Sequence, residues 1–393
     1  MSDTKPSIVV TGAAGNLGRR LLPLLAEYSV TAVDLAPPAT TVAQFVSLDL
    51  GKEESCRELF HLFQQVRPVA VAHLAFVLDP VQAGVLDLDR MWQINVAGTA
   101  RVLEAVSETN RNGYNTVRKF IHLSSVAAYG PELPRPAAEE TRLGAHTLPY
   151  AIHKQEADEV VQTWAPSLPQ SSVYLLRPHI FTGASVDNYM VGAFRGTPNG
   201  KGRWAEKLRA KGKRLPCMLP RNPRFREKKI QFVHVDDVAR LIAHIAGLTE
   251  PETQRLNILN VAGRGPALTY GRCVELAQAK LLRMPGLFSC RMVLEALWKS
   301  GISAIPPEAL PYMTGEYIMD TSHLETWLGL KYPDVIQYTI EDAFRDTFRN
   351  SNQDRVLSPG GEATPSAPSP ETEEQTPSGG RGDKTPEVTP GIP

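Results

Sequence analysis

The stretch Ile8-Val9-Val10-Thr11-Gly12-Ala13-Ala14-Gly15-Asn16-Leu17-Gly18 decides how the rest of the chain is read. An apolar strand that turns through three glycines into a helix leaves backbone N–H groups and a positive helix end facing outward, an arrangement suited to a pyrophosphate. Gly12 allows the tight turn, Gly15 the approach of phosphate oxygens, and Gly18 close packing of helix on strand. Three glycines after a strand can also be a plain loop. The next strand, Val30 to Val33, narrows the choice, because Asp34 follows it at about 20 residues, the separation at which a carboxylate meets an adenosine ribose. That carboxylate would accept from ribose hydroxyls and repel a 2′-phosphate, so NAD is expected over NADP. A turn-initiating Asp before Pro37 and Pro38 is the competing reading.

Further strands are predicted at Ala43 to Leu48, Ala70 to Leu74, Phe120 to Leu123 and Val173 to Leu176, with helices at Glu53 to Val66, Leu88 to Glu108 and Tyr150 to Trp164. Such alternation predicts an α/β fold, a doubly wound parallel sheet of the Rossmann type, with ligand at the strands' C-terminal ends. A smaller substrate-binding region follows: residues 1–180 form the dinucleotide-binding part and 181–350 the substrate part, with 231–250 returning to the core. A strand is expected at Gln231 to Val235 and helices after it. From Ser351 to Pro393 the chain is rich in Pro, Ser, Thr, Gly and Glu, and is expected to be a disordered tail. Its Arg381-Gly382-Asp383 triplet reads as coincidence.

The 393 residues carry 42 basic and 42 acidic side chains, so no overall field draws the chain toward nucleic acid or membrane. Any charged partner must be read from local patches. One candidate is Asn188 to Lys229, where arginines and lysines far outnumber Glu206 and Glu227. It reads equally as a solvated excursion or an anion-binding lid, and its sparse aromatics give no sign of nucleic-acid binding. Cys56, Cys217, Cys273 and Cys290 have neither CxxC nor metal-ligand spacing. With a polar Met1 to Ser7 and no apolar run of membrane length, the expected setting is cytoplasmic.

Tyr150 and Lys154 lie one helical turn apart just after Pro149, which places both side chains on one face. Moving a tyrosine pKa from ~10 to ~7 requires about 4 kcal/mol in favour of the phenolate, which nearby positive charge supplies. An exposed helix face is the bland alternative. Ser124 and Ser125 leave the Phe120 to Leu123 strand at its C-terminal end. One can donate to a carbonyl oxygen turning into alkoxide, or both can equally cap the next turn, the competing reading for Ser124. His73 and His234 sit in apolar runs and read as packed or backbone-bonded.

Taken in order, these motifs resemble the extended short-chain dehydrogenases/reductases, the NAD-dependent epimerase/dehydratase group. The likeness runs from about Ser7 to Gly247, more weakly beyond. It implies a phosphate loop at Gly12, Gly15, Asn16, Leu17 and Gly18, a ribose carboxylate at Asp34, and adenine contacts at Asp49 and Leu50. It implies further cofactor contacts at Leu74, Ala75, Asn95, Tyr150, Lys154 and Pro178. Its catalytic group would be Ser125, Tyr150 and Lys154: the tyrosine as acid/base, the serine polarising the substrate oxygen, the lysine holding the nicotinamide ribose. The resemblance also implies a homodimer through the helices Leu88 to Glu108 and Tyr150 to Trp164.

Two positions depart from nucleotide-sugar members: Ile180 stands where an asparagine meets the diphosphate, and Ile230 where an arginine does. Lys228 and Lys229 are near enough in sequence to stand in for them. The expected activity is therefore NAD-dependent hydride transfer on a small-molecule secondary alcohol or ketone. The alternative is a nucleotide-sugar epimerase or dehydratase that retains its NAD. A non-catalytic NAD(H)-binding module is a third possibility, and intact Ser125, Tyr150 and Lys154 argue against it.

Overall fold

The computed structural model describes residues 5–78, 87–113, 117–249 and 255–356. Six strands come first: β1 (Ser7–Thr11), β2 (Ser29–Asp34), β3 (Gln44–Ser47), β4 (Pro68–His73), β5 (Lys119–Leu123) and β6 (Ser172–Pro178). Short strands β7 (Ile180–Thr182), β8 (Cys217–Pro220), β9 (Lys229–Ile230) and β10 (Phe232–His234) follow, then β11 (Leu256–Val261), β12 (Leu268–Thr269) and β13 (Leu281–Met284). The central sheet is parallel with order β11-β6-β5-β4-β1-β2-β3. Val10 lies between Ala32 and Ala72 in register, and Ile8, Val9 and Val10 are fully buried, as strands covered on both faces must be.

The chain leaves β1 toward β2 on one side and later returns through β4 on the other, so the strand order reverses beside β1. Such a switch point opens a crevice at the C-terminal ends of the strands. Helices α1 (Asn16–Leu21), α2 (Ser55–Val66), α3 (Leu88–Trp92), α4 (Gly98–Arg111) and α5 (Pro149–Trp164) cover the sheet together with α9. Between α5 and α9 come α6 (Tyr189–Arg195), α7 (Arg203–Ala210) and α8 (Arg224–Glu227), and α9 itself spans Val235–Gly247. Helix α9 packs against α1 and buries Val238, Leu241, Ile242 and Ile245. On the opposite face, Leu59, Leu62 and Phe63 of α2 meet Val102, Leu103 and Val106 of α4. The remaining long helices are α10 (Tyr270–Leu276), α11 (Leu287–Lys299) and the C-terminal Ile340–Val356.

Several boundaries differ from expectation. The stretch expected as one helix from Leu88 to Glu108 contains a π turn, Gln93–Ala97, between α3 and α4. Asn95 sits in that wider turn, and such turns commonly occur at functional sites. The strand expected over Ala43 to Leu48 shortens to β3, and that over Gln231 to Val235 to β10. Strand β11 completes the sheet where only helices were expected; Asn257 and Asn260 interrupt its apolar run. The C-terminal helix passes the expected tail boundary at Ser351 and reaches Val356, and the rest of that segment lies outside the described residues. The Arg381 triplet and the start of the N-terminal segment also lie outside them. Among the described residues no helix is long and apolar enough to cross a membrane, and no group of His, Cys, Asp or Glu is arranged to hold a metal. All four cysteines are free.

Candidate active site

A cleft of about 330 Å³ opens at the switch point. The glycine loop forms one end: Gly12, Gly15, Asn16, Leu17 and Gly18 line it, as do Leu74 and Pro178 from neighbouring strand ends. Gly12 has φ +70, and a Cβ there would lie 2.5 Å from the Ala75 nitrogen. A Cβ on Gly18 would lie 2.5 Å from the Ala13 carbonyl oxygen, so only glycine lets α1 start this close to β1. The loop is braced from below. Asp34 at the end of β2 accepts from Ala14 N at 2.9 Å and from its neighbour Leu35 N at 2.7 Å. A carboxylate so held keeps lone pairs for ribose hydroxyls. Over the loop, Asn16 Nδ2 donates to Ser185 O at 2.9 Å, and Arg20 bridges Asp236 and Ser185.

Ser125, Tyr150 and Lys154 line the same cleft. Ser125 leaves β5 as the cap of a short turn, its Oγ accepting from Ala127 N at 3.2 Å, and it shares a side-chain hydrogen bond with Tyr150. Burial raises the Tyr150 phenol above its ordinary 10.0, and the bond to Ser125 opposes that rise. Lys154 is 3% exposed, and its Nζ donates to Leu123 O at 2.6 Å. Burial lowers its pKa to about 7, against the pull of Asp158 toward the charged form. The same ammonium lies 3.5 Å from the centroid of the Phe76 ring, which meets Tyr150 edge-on at 5.8 Å. Beneath it His73 is pushed down to about 3 by burial, then by Lys154, and is therefore neutral.

Helix α5 presents Tyr150, Lys154 and Asp158 at four-residue intervals, one stripe along its inner face. Asp158 is fully buried and takes two 2.8 Å bonds from Arg177 and one of 2.6 Å from Ser124 Oγ. Arg177 also donates to Tyr129 Oη at 2.8 Å and Glu139 O at 2.7 Å. Ser124 thus holds α5 to the sheet through this clamp. His73 is held by Thr11 and Thr99 hydroxyls, and His234 by Asp236 N and Asp346, each a packed histidine.

Other expected contacts are not among the residues lining the cleft. Leu50 is buried in the core, Asp49 pairs with Arg90 and accepts from Gly51 N at 3.0 Å, and Ala75 N approaches Thr11 Oγ1 at 3.4 Å. Asn95 is fully buried and grips the backbone of Val77 through bonds of 2.7 and 3.0 Å. It acts on the cleft through the chain leaving β4, the segment that carries Phe76.

The far wall is apolar and aromatic: Ile180, Phe181, Tyr189, Met190, Tyr312 and Tyr317. His179 stacks on Tyr317 at 5.5 Å and 11°, and burial lowers its pKa to about 4. Phe76, His179, Tyr312 and Tyr317 escaped the sequence reading. Phe76 alone had a local signal, being the residue after His73-Leu74-Ala75. Ile180 lines the cleft and Ile230 is in the core, so neither position offers a polar group. Lys228, considered as a substitute, is taken by Glu132 at 2.7 Å, and Lys229 is an exposed strand residue. In the basic stretch Arg209 and Arg214 cap backbone carbonyls of the same segment.

A glycine cradle and a Ser, Tyr, Lys group on one cleft of a doubly wound sheet define a dinucleotide-dependent α/β protein. The sequence model of the NAD dependent epimerase/dehydratase family matches residues 8–262, and the chain belongs to that family. A UDP-glucose 4-epimerase of Erwinia amylovora is 30% identical over 207 residues, 49% of this chain and 58% of that protein. A second, from Yersinia enterocolitica, is 28% identical over 208 residues, 50% of this chain and again 58% of that protein. The chain therefore spans less than two thirds of these curated relatives. Among solved structures, the Bacillus cereus UDP-glucuronic acid 4-epimerase with UDP-glucuronic acid and NAD superposes with a TM-score of 0.59 at 18% identity. The match covers 88% of this chain and 99% of that one, and shows the shared fold.

Proposed function

We propose that this chain is an NAD-dependent oxidoreductase that moves hydride between the cofactor and an apolar secondary alcohol or ketone. One observation carries the reading: Ser125, Tyr150 and Lys154 share a single cleft with the glycine cradle. The cradle fits a dinucleotide because the space a Cβ would take at Gly12 and Gly18 is closed by backbone. Gly12, Gly15, Asn16, Leu17 and Gly18 would hold the pyrophosphate, Asp34 the adenosine ribose, and Lys154 the nicotinamide ribose. Bound NAD supplies the hydride acceptor and a positive charge beside the phenol.

The chain's own groups do the rest. Ser125 donates to the substrate oxygen, and Tyr150 takes or returns the proton at that oxygen. Lys154, when it carries its proton, would favour the phenolate of Tyr150 by its charge. The aromatic wall from Tyr189 to Tyr317 excludes water and gives an apolar substrate its contact surface. Residues 1–180 with 231–261 serve as the cofactor half, and the residues between and after them, to 350, as the substrate half.

A second reading, a nucleotide-sugar epimerase with retained NAD, is supported by the names of the relatives. Mass analysis of small molecules released from purified protein, with NADH formation scored on a panel of apolar and nucleotide-linked alcohols, separates the two. Turnover of an apolar alcohol with freely exchanging NAD, lost in Tyr150→Phe, is the expected result. Retained NAD with conversion of a UDP-sugar alone would replace the first reading by the second. A cytoplasmic setting is supported by four free thiols. A homodimer through α3 to α5 is supported by the exposed Leu88 and Trp92.

A further inference from the structure

Helix α11 is covered on one side only, and its outer side mixes large apolar side chains with Arg291, Glu295 and Lys299. Cys290 and Leu294 are buried, while Phe288 is 77% and Met292 57% exposed on the opposite face, and Leu287 and Trp298 are exposed nearer the buried side. Large apolar side chains gathered on an exposed helix side mark a contact surface. Helix α7 adjoins it: Gly202 N donates to Gly301 O at 2.9 Å, and Trp204, 63% exposed, follows two residues later. Half of the exposed large apolar side chains of the described residues fall on Trp204 and the Leu282 to Trp298 segment.

The segments that form the two helices are also basic in sequence. Residues 201–214 and 280–299 hold eleven lysines and arginines against two acids, Glu206 and Glu295, in a chain of zero net charge. Glu295 is already paired with Lys299 at 2.6 Å. Lys207 lies over the Trp204 ring at 4.9 Å. Interfacial helices combine these features: aromatic and aliphatic side chains at one depth, and cations placed to meet headgroups.

We infer that α7 and α11 form a docking surface for an anionic lipid bilayer, on which the protein lies without crossing. Phe288, Met292 and Trp204 would enter the headgroup boundary, and Lys207, Lys211, Lys213 and Arg291 would meet lipid phosphates and carboxylates. The covered face of α11 has a second consequence, which rests on the catalytic reading above. Cys290, Leu294 and Leu297 line an apolar cavity of about 70 Å³ together with Met190 and Met313, which also line the catalytic cleft. The cavity would set the covered side of α11 next to the apolar wall of the catalytic cleft.

Cosedimentation of the full chain with vesicles of phosphatidylcholine alone and of phosphatidylcholine with phosphatidylserine tests the docking without reference to turnover. The expected result is binding to the anionic vesicles, weakened by salt, with a blue shift of tryptophan emission that Trp204→Phe diminishes. Phe288→Glu/Met292→Glu should lower the bound fraction roughly tenfold or more, and the Lys207→Glu/Lys211→Glu/Lys213→Glu variant should remove the salt-sensitive part while keeping the wild-type melting transition. No binding to anionic vesicles, or binding undiminished in both variants, overturns the inference. So does a dimer in sedimentation that Phe288→Glu/Met292→Glu dissociates. Failure of the catalytic reading would leave the vesicle result standing.

Discussion

Replacing Lys154 by methionine should make the protein more stable at neutral pH while destroying its activity. Burial lowers the ammonium from 10.5 to about 7, so the folded state disfavours its charge. At about 1.36 kcal/mol per pKa unit, that shift corresponds to about 4–5 kcal/mol held against the fold at and below pH 7. The sign follows from proton counts: between about 7 and 10.5 the unfolded chain binds more protons at this site, so wild-type stability falls as pH drops through that window. Methionine keeps the volume and removes the charge, but gives up the bond to Leu123 O, worth about 1 kcal/mol, and the contact with Phe76. The net gain expected is about 2–4 kcal/mol at pH 7, shrinking toward zero or below near pH 10. Urea unfolding of cofactor-free wild type and variant at pH 7, 8.5 and 10, beside an NADH assay, measures both quantities. A stability difference that does not change with pH, or a loss of stability at pH 7, would refute the reasoning by showing that the folded protein keeps this charge at no cost.

Asp158→Asn should cost about 3–5 kcal/mol, because it leaves the guanidinium of Arg177 buried with half its compensation; thermal unfolding would show it, and a change under 1 kcal/mol would mean water or Glu139 takes over. Gly12→Ala should abolish NAD binding measured by calorimetry, since φ +70 and the 2.5 Å approach to Ala75 N leave no place for a methyl group. Wild-type affinity in that variant would show the loop to be adaptable.

The sheet and the glycine loop were legible because their signals are local. Apolar runs of strand length, glycines at fixed spacing and a tyrosine four residues before a lysine each depend on a short window of chain, and the structure brings Gly12, Gly15, Gly18, Ser125, Tyr150 and Lys154 to one cleft. The aromatic wall opposite was not legible. Tyr312 and Tyr317 reach the site from more than 150 residues beyond Tyr150, and no periodicity encodes such an approach. The π turn at Asn95 escaped for a different reason: one extra residue in a helical turn leaves the apolar spacing of the flanking helices almost unchanged. Strand β11 was obscured by its own asparagines, of which Asn260 is buried and accepts from Tyr129 Oη at 2.8 Å, adding to the clamp around Arg177.

That clamp has a bearing on how such a protein can change. A one-residue slip of α5 would advance its side chains by about 1.5 Å and swing them through about 100°, enough to take the phenol out of reach of Ser125. Asp158 lies two turns further along the same stripe and is pinned to the sheet by Arg177 and Ser124, which fixes the helix in both translation and rotation. The proton-handling end is thereby indexed to the sheet and not to the lining opposite. The lining side chains Ile180, Phe181, Tyr189, Met190, Tyr312 and Tyr317 can be exchanged for others without resetting the tyrosine, so the opposite wall is free to drift while the phenol stays where it is.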